Sequence, residues 1–333
     1  MESVRLGTTG LKVSRLCFGT MGIGSSDWRP WVLNSDAARP LLEHCLDKGI
    51  YFFDLADWYS AGEAERIAGK ILLDMMPRDQ LVLTTKARYA MSDDPNDQGL
   101  SRKHLMASID KSLQRIGTDY VDIFMAHAWD PMTPVEETMS TLHDIVRSGK
   151  ARYIGASTMY AWQFAHMNHV ARENGWTPFC NMQLQYNLLY REEEREMIPY
   201  CEHQGIALTS FSPLARGWLS GARNELRVGC DTYYNRNYGD DVDLNIVDKV
   251  KSIAQDRGVS NSQVAIAWVL SKKAISAPII SASSTDQLDL NIRSLEVQLT
   301  QEEIEGLDAL YHPRDLINDY VTELTPRYSV AEK

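Results

Sequence analysis

Short apolar runs alternate with amphipathic stretches along most of the chain, in a strand-then-helix rhythm. The first two runs, Val4–Leu6 and Leu11–Val13, flank Gly7-Thr8-Thr9-Gly10 and predict a β-hairpin. Leu16–Gly22 then reads as a buried strand, and Ala38, Leu41, Leu42, Cys45 and Leu46 fall on one helical face behind a cap at Asn34 or Ser35. Further strands are predicted at Tyr51–Asp54, Gln80–Lys86, Tyr120–His127, Ala151–Ser157, Phe179–Gln183, Gly205–Phe211 and Ala277–Ile280. Helices between them are predicted near 64–75, 105–116, 135–146, 161–172, 192–203, 244–256, 262–272 and 285–294. The rhythm lapses only after Phe211, in a polar stretch holding Tyr233, Tyr234 and Tyr238, and a helix and a Tyr-containing tail follow Thr300.

Eight strand-helix units in succession predict a closed parallel (β/α)8 TIM barrel, capped by the hairpin and carrying a long loop after its seventh strand. Residues 1–333 are read as one barrel domain, a length that suits it. The open doubly wound sheet is the rival, but Gly19-Thr20-Met21-Gly22 does not supply its Gly-x-Gly-x-x-Gly turn.

Composition narrows the function. A net charge of −11, with Lys and Arg scattered among acids, disfavours nucleic acid. No apolar run approaches membrane-spanning length and no basic-then-apolar segment opens the chain, so a cytoplasmic protein is expected. Five widely spaced cysteines read as reduced, packed thiols, and no metal-ligand spacing occurs.

The candidate chemistry lies at strand ends. Three successive strands finish in Asp54, Lys86 and His127, and Tyr59 follows just beyond the first. A barrel gathers the C-terminal ends of its strands on one face, so these residues should meet there. A carboxylate where a core strand opens needs a cationic partner, which Lys86 or His127 can supply. Trp28, Trp31, Trp58, Trp129 and Trp218 fall on loops that would surround such a mouth and suit a substrate with apolar or aromatic surface.

With these residues in place, the chain resembles an aldo-keto reductase from Arg5-Leu6-Gly7 to Asn291. The segments 53–60 with Gly62-Glu63-Ala64-Glu65, and 149–155, are similar to two signatures of that family; 187–196 and 212–217 are similar to its YajO-like bacterial branch. The resemblance implies an NAD(P)-dependent alcohol oxidoreductase (EC 1.1.1) that moves a hydride between nicotinamide and the carbonyl of a small molecule. In it Tyr59 would be the proton donor, with Lys86 drawing its proton affinity towards neutrality, Asp54 holding Lys86, and His127 orienting the carbonyl. By the same resemblance Gly19, Thr20, Met21, Asp54 and Thr158 would be among the cofactor-binding residues, Ser157 and Gln183 would bind the nicotinamide carboxamide, and Phe211 would stack on its ring. Ser212, Pro213, Leu214, Arg216 and Gly217 would follow the pyrophosphate, and Ser281, Ser283, Gln287 and Asn291 the adenosine phosphate. Trp28, Trp31, Trp58, Tyr59, His127 and Trp129 would line the substrate pocket.

Three positions depart from the family pattern. Thr158 stands where the family has Asn, and Phe211 where many members have Tyr or Trp. The segment 281–291 lacks the usual Lys or Arg at the 2′-phosphate. NADP(H) is therefore expected from family habit, with NAD(H) as the alternative. A cofactor-binding accessory or sensor subunit with slow turnover is the other reading open at this point, and neither monomer nor homo-oligomer is singled out. A Schiff-base role for Lys86 is disfavoured by Asp54 beside it.

Overall fold

The computed structural model describes residues 1–221 and 238–314. Strands β1 (Ser3–Arg5) and β2 (Lys12–Ser14) form the hairpin, with Val4 opposite Val13. Eight parallel strands close the barrel: β3 (Cys17–Gly19), β4 (Phe52–Asp54), β5 (Val82–Ala87), β6 (Val121–Ala126), β7 (Ala151–Ser157), β8 (Asn181–Gln185), β9 (Ala207–Phe211) and β10 (Ile275–Ile280). Each pairs with the next in sequence, and β10 returns to pair with β3.

Alternation along the strands builds two apolar layers. Cys17, Phe52, Val82, Ile123, Met125, Ala207, Ala277 and Ile279 form the barrel interior, where Leu6 and Val13 of the hairpin join them. Thr8 N–H donates to the Gly205 carbonyl at 3.0 Å, fixing the hairpin below the entry to β9. Phe18, Phe53, Leu83, Phe124, Ile154, Met182, Leu184 and Leu208 point the other way, into the layer shared with the helices.

The helices are α1 (Ser35–Asp47), α2 (Glu63–Met75), α3 (Arg102–Ile116), α4 (Val135–Arg147), α5 (Ala161–Glu173), α6 (Met197–Gln204), α7 (Asp241–Arg257), α8 (Asn261–Ser271), α9 (Thr285–Ile292) and α10 (Gln301–Asp308). Asn34 caps α1 through the Ala37 amide, and Gly117 ends α3 at φ 86°, as their sequences predict. No helix among the described residues is long and apolar enough to cross a membrane.

Several boundaries differ from expectation by a few residues, and three of these bear on the site or its rim. The first barrel strand stops at Gly19, and Thr20–Gly22 turns as a 3-10 helix because the Thr20 hydroxyl is drawn to the Asp54 carbonyl, 3.0 Å away. The strand expected at Phe179–Gln183 runs instead from Asn181 to Gln185. The helix expected from Glu192 starts at Met197, where Pro199 falls within its tolerated first turn. Glu192–Glu194 is a separate 3-10 turn, pinned by the Tyr311 hydroxyl and Arg314 amide on the Glu192 carboxylate. Tyr233, Tyr234 and the thiol of Cys230 lie outside the described residues, as does the tail after Arg314.

Helices α2 and α3 meet at Gly69, where an added Cβ would overlap the backbone of Ile116. Gly69→Ala should therefore lower stability by about 1–3 kcal/mol, although alanine favours a helix. Urea unfolding checks this; a midpoint equal to or above that of the parent protein refutes the contact as limiting.

Candidate active site

The same alternation that fills the barrel decides which polar groups reach its mouth. Asp54 is two residues beyond Phe52, Lys86 four beyond Val82, and His127 two beyond Met125; all three continue the inward-facing series. On β8, Met182 and Leu184 face the helices, so Asn181, Gln183 and Gln185 face inward. The register sets Asp54 beside Thr84, and Gln183 between Ser157 and Thr209.

Lys86 is wholly buried, and its ammonium uses all three protons. It donates to Asp54 Oδ2 at 2.8 Å, to the Leu55 carbonyl at 2.8 Å and to the Tyr59 hydroxyl at 3.0 Å. Asp54 Oδ1 accepts from the Thr84 hydroxyl at 2.9 Å and the Gln183 side-chain amide at 2.8 Å. Tyr59 Oη lies 3.5 Å from Asp54 Oδ2, a long contact that leaves its own proton loosely held.

Burial opposes charge on Lys86, but Asp54 and Tyr59 together more than offset it and the ammonium is held up to about 12. Burial also dominates at Tyr59, where it outweighs Lys86 and pushes the phenol up to about 12. The expected fall towards neutrality is thus reversed here, and the phenol keeps its proton. His127 is pushed well below its ordinary value by burial, with Lys86 and Arg88 adding to the effect, so its ring is neutral. His127 Nδ1 is buried without a hydrogen-bond partner. Behind the site, Asp57 is raised well above the usual carboxylate range by burial and then by Glu65, against Arg115, the Trp58 amide and Lys86.

Tyr59 is held by unusual backbone. Ser60 and Ala61 both have φ 52° and Gly62 φ 88°, three successive left-handed residues that turn the chain into α2. The Ser60 hydroxyl accepts the Ser25 amide at 2.8 Å, and an added Cβ on Gly24 would overlap the Ser60 side chain. The tryptophan-bearing loop is thereby anchored to the turn that carries Tyr59.

An aromatic series leads outward from there. His127 meets Tyr59 and Tyr89 edge to face, at 5.9 and 4.8 Å between ring centres. Tyr89 meets Trp58 at 5.3 Å, Trp58 meets Trp28 at 5.3 Å, and Arg29 lies 4.2 Å over Trp28 and 5.7 Å from Trp31. Trp129 stands apart from this series, tilted against the exposed Trp162 at 5.9 Å. Trp218 is half-buried beside Gly239.

The residues expected at a cofactor fall along one arc of the same rim. Gly19 and Thr20 are buried beside Asp54, and Met21 packs with Ala56, Tyr59 and Ala64. Ser157 Oγ lies 3.1 Å from Thr158 Oγ1, with Thr158 left-handed at φ 50°. Gln183 spends its amide on Asp54, which a carboxamide role alone does not predict. Phe211 is half-buried at the end of β9, ahead of buried Pro213 and half-buried Leu214. Ser212, Ala215, Arg216 and Gly217 have φ of 55°, 46°, 57° and 112° and coil the next segment tightly, a form of backbone that cups anions. At the far end Gln287 Oε1 accepts from both the amide and hydroxyl of Ser283, at 3.0 and 2.9 Å, and Asn291 donates to the Ser281 carbonyl at 3.1 Å.

Four residues of the site escaped the sequence analysis. Thr84 shares the inward face of β5 with Lys86, a signal the two-residue spacing carries. Tyr89 sits in a loop with no periodic signal. Gln185 and Asn187 were likewise passed over; their amides donate to the Tyr238 hydroxyl at 2.7 and 3.4 Å, bringing the chain back to the rim after the long loop.

A closed barrel that gathers a buried Asp-Lys-Tyr group at the C-terminal ends of its strands has the architecture of a barrel enzyme. The chain belongs to the aldo/keto reductase family, whose model matches residues 15–312. It is 42% identical to the versiconal hemiacetal acetate reductase of Aspergillus parasiticus, over 94% of this chain and 98% of that protein. It is 38% identical to the aldo-keto reductase dtxS3 of Metarhizium robertsii, over 94% and 92% of the two chains. The provisionally named aryl-alcohol dehydrogenase AAD16 of Saccharomyces cerevisiae is 37% identical, over 94% and 98%. These relatives are fungal and give the expected YajO-like bacterial branch no support.

The junction of Gly24 and Ser60 yields a double test. Gly24→Ala should destabilise the protein by about 2 kcal/mol, and Ser60→Gly in the same chain should recover part of the loss by removing the overlapping side chain and easing a left-handed residue. Additive losses in a thermal unfolding cycle would refute the junction.

Proposed function

We propose that the protein is an NADP(H)-dependent reductase of aromatic aldehydes or ketones, acting with Tyr59 as acid and base. The three-way hydrogen bonding of Lys86 carries this reading. Because the ammonium donates to the phenol oxygen, the phenol's own proton is free to leave towards a carbonyl oxygen. A bound nicotinamide would supply or accept the hydride. Tyr59 gives its proton to the carbonyl oxygen as negative charge develops there, and Lys86 then faces the phenolate left behind. Asp54 fixes Lys86 and balances its charge. The neutral ring of His127 donates through Nε2 to the carbonyl oxygen and orients it.

Ser157, Thr158 and Gln183 would hold the carboxamide, Phe211 the ring, and 212–217 the pyrophosphate. The aromatic wall of Trp28, Trp58 and Tyr89 supports a planar substrate, as does a relative named for an aryl alcohol. NAD(H) is the second reading for the cofactor, favoured by one observation: 281–291 carries Asp286 and Asp289 but no cation.

Tyr59→Phe should lower turnover of an aromatic aldehyde by about 100-fold or more while leaving NADPH binding within about twofold. Steady-state kinetics with tryptophan-fluorescence titration checks both, and undiminished turnover removes Tyr59 from the acid role. The same titration with both cofactors decides between them. Tighter NADPH is expected, and tighter NADH would reverse the assignment and point to alcohol oxidation.

A further inference from the structure

We propose that Thr84 is a positioning residue for the proton donor, acting through the far oxygen of Asp54. The inference rests on the reductase reading above and extends it to a residue that never meets substrate.

Asp54 is 2% exposed, and its two oxygens are used differently. Oδ2 serves Lys86 at 2.8 Å, and Oδ1 serves Thr84 at 2.9 Å and Gln183 at 2.8 Å. Thr84 Oγ1 has a single proton and two acceptors in range. The Phe53 carbonyl is 3.4 Å away, so the nearer and charged oxygen takes the proton. The parallel register of Asp54 with Thr84 presents the two side chains to each other across adjacent strands.

Donors on Oδ1 draw negative charge to the side of the carboxylate away from Lys86 and lock its plane. More of the ammonium's field then reaches Tyr59. Without the Thr84 hydroxyl the carboxylate would bear more strongly on Lys86 and on the phenol, and Tyr59 would hold its proton more tightly. The other titratable groups around Lys86 and Tyr59 offer no substitute. His127 just after β6 is neutral, with Arg88 beyond it; the Cys17 thiol on β3 is held protonated by burial; Asp57 after β4 is buried and raised. Gln183 on β8 already donates to the same oxygen.

The test is the pH profile of kcat/KM for Thr84→Val, which keeps the shape and removes the hydroxyl. In carbonyl reduction, which needs protonated Tyr59, the alkaline limb should move up by about half a pH unit or more. In alcohol oxidation at neutral pH, which needs the phenolate, the rate should fall about threefold or more. NADPH affinity by fluorescence should stay unchanged, and Thr84→Ser should restore the parent profile. Thr84→Ala provides the same comparison should the valine variant fail to fold. An unmoved limb in a folded Thr84→Val or Thr84→Ala protein, or a serine variant shifted as far as valine, overturns the proposal. A parent protein without turnover would instead remove the reductase reading, and this inference with it.

Discussion

The ion pair between Lys86 and Asp54 is the constraint on which the site depends. Both charges are sealed inside the barrel, where removing either partner would cost about 3–5 kcal/mol. Such a pair persists only if its remaining hydrogen-bonding capacity is filled, and groups from separate parts of the chain fill it. Thr84 comes from β5, Gln183 from β8, the Leu55 carbonyl from the residue after β4 and the Tyr59 hydroxyl from the turn beyond it, so the pair forms only once these strands have come together. The fold and the chemistry share one set of contacts.

Around this centre the chain separates reactivity from shape. The groups nearest Tyr59 sit on strands or within a residue of them, where alternation fixes their direction. The aromatic side chains that define the mouth sit on loops after three strands: Trp28 and Trp31 beyond β3, Trp58 beyond β4, Tyr89 beyond β5. The two sets touch at Ser60, whose left-handed backbone and hydroxyl join the first loop to the Tyr59 turn.

Much of this was legible in the sequence because short apolar runs ending in Asp54, Lys86 and His127 set both the strand positions and their parity. The eight-unit rhythm gave the closed barrel for the same reason. What could not be read depended on contacts across strands. Gln183 is seen to serve Asp54 only when β8 is laid across the barrel from β4, and Tyr89 only when its loop folds over His127. The direction of the Tyr59 shift was missed because residue types reveal a neighbouring charge more readily than the depth of burial. Ser60 and Ala61 gave no sign of left-handed backbone, since neither is the glycine such a position favours. The bacterial-branch expectation rested on short stretches, 187–196 and 212–217, whereas the fungal relatives match across almost the whole chain.

The wall of Trp28, Trp58 and Tyr89 has a consequence for how such an enzyme diversifies. Its members are contributed by separate loops and lean on one another, edge to face between Trp28 and Trp58 and tilted between Trp58 and Tyr89, so the outline of the proposed pocket is a collective property that no single loop owns. A substitution at one ring would bear first on its neighbour, whereas the Lys86 ammonium keeps three partners of its own. A lineage built on this plan can wander among substrates by small changes at the rim while its reaction is inherited intact.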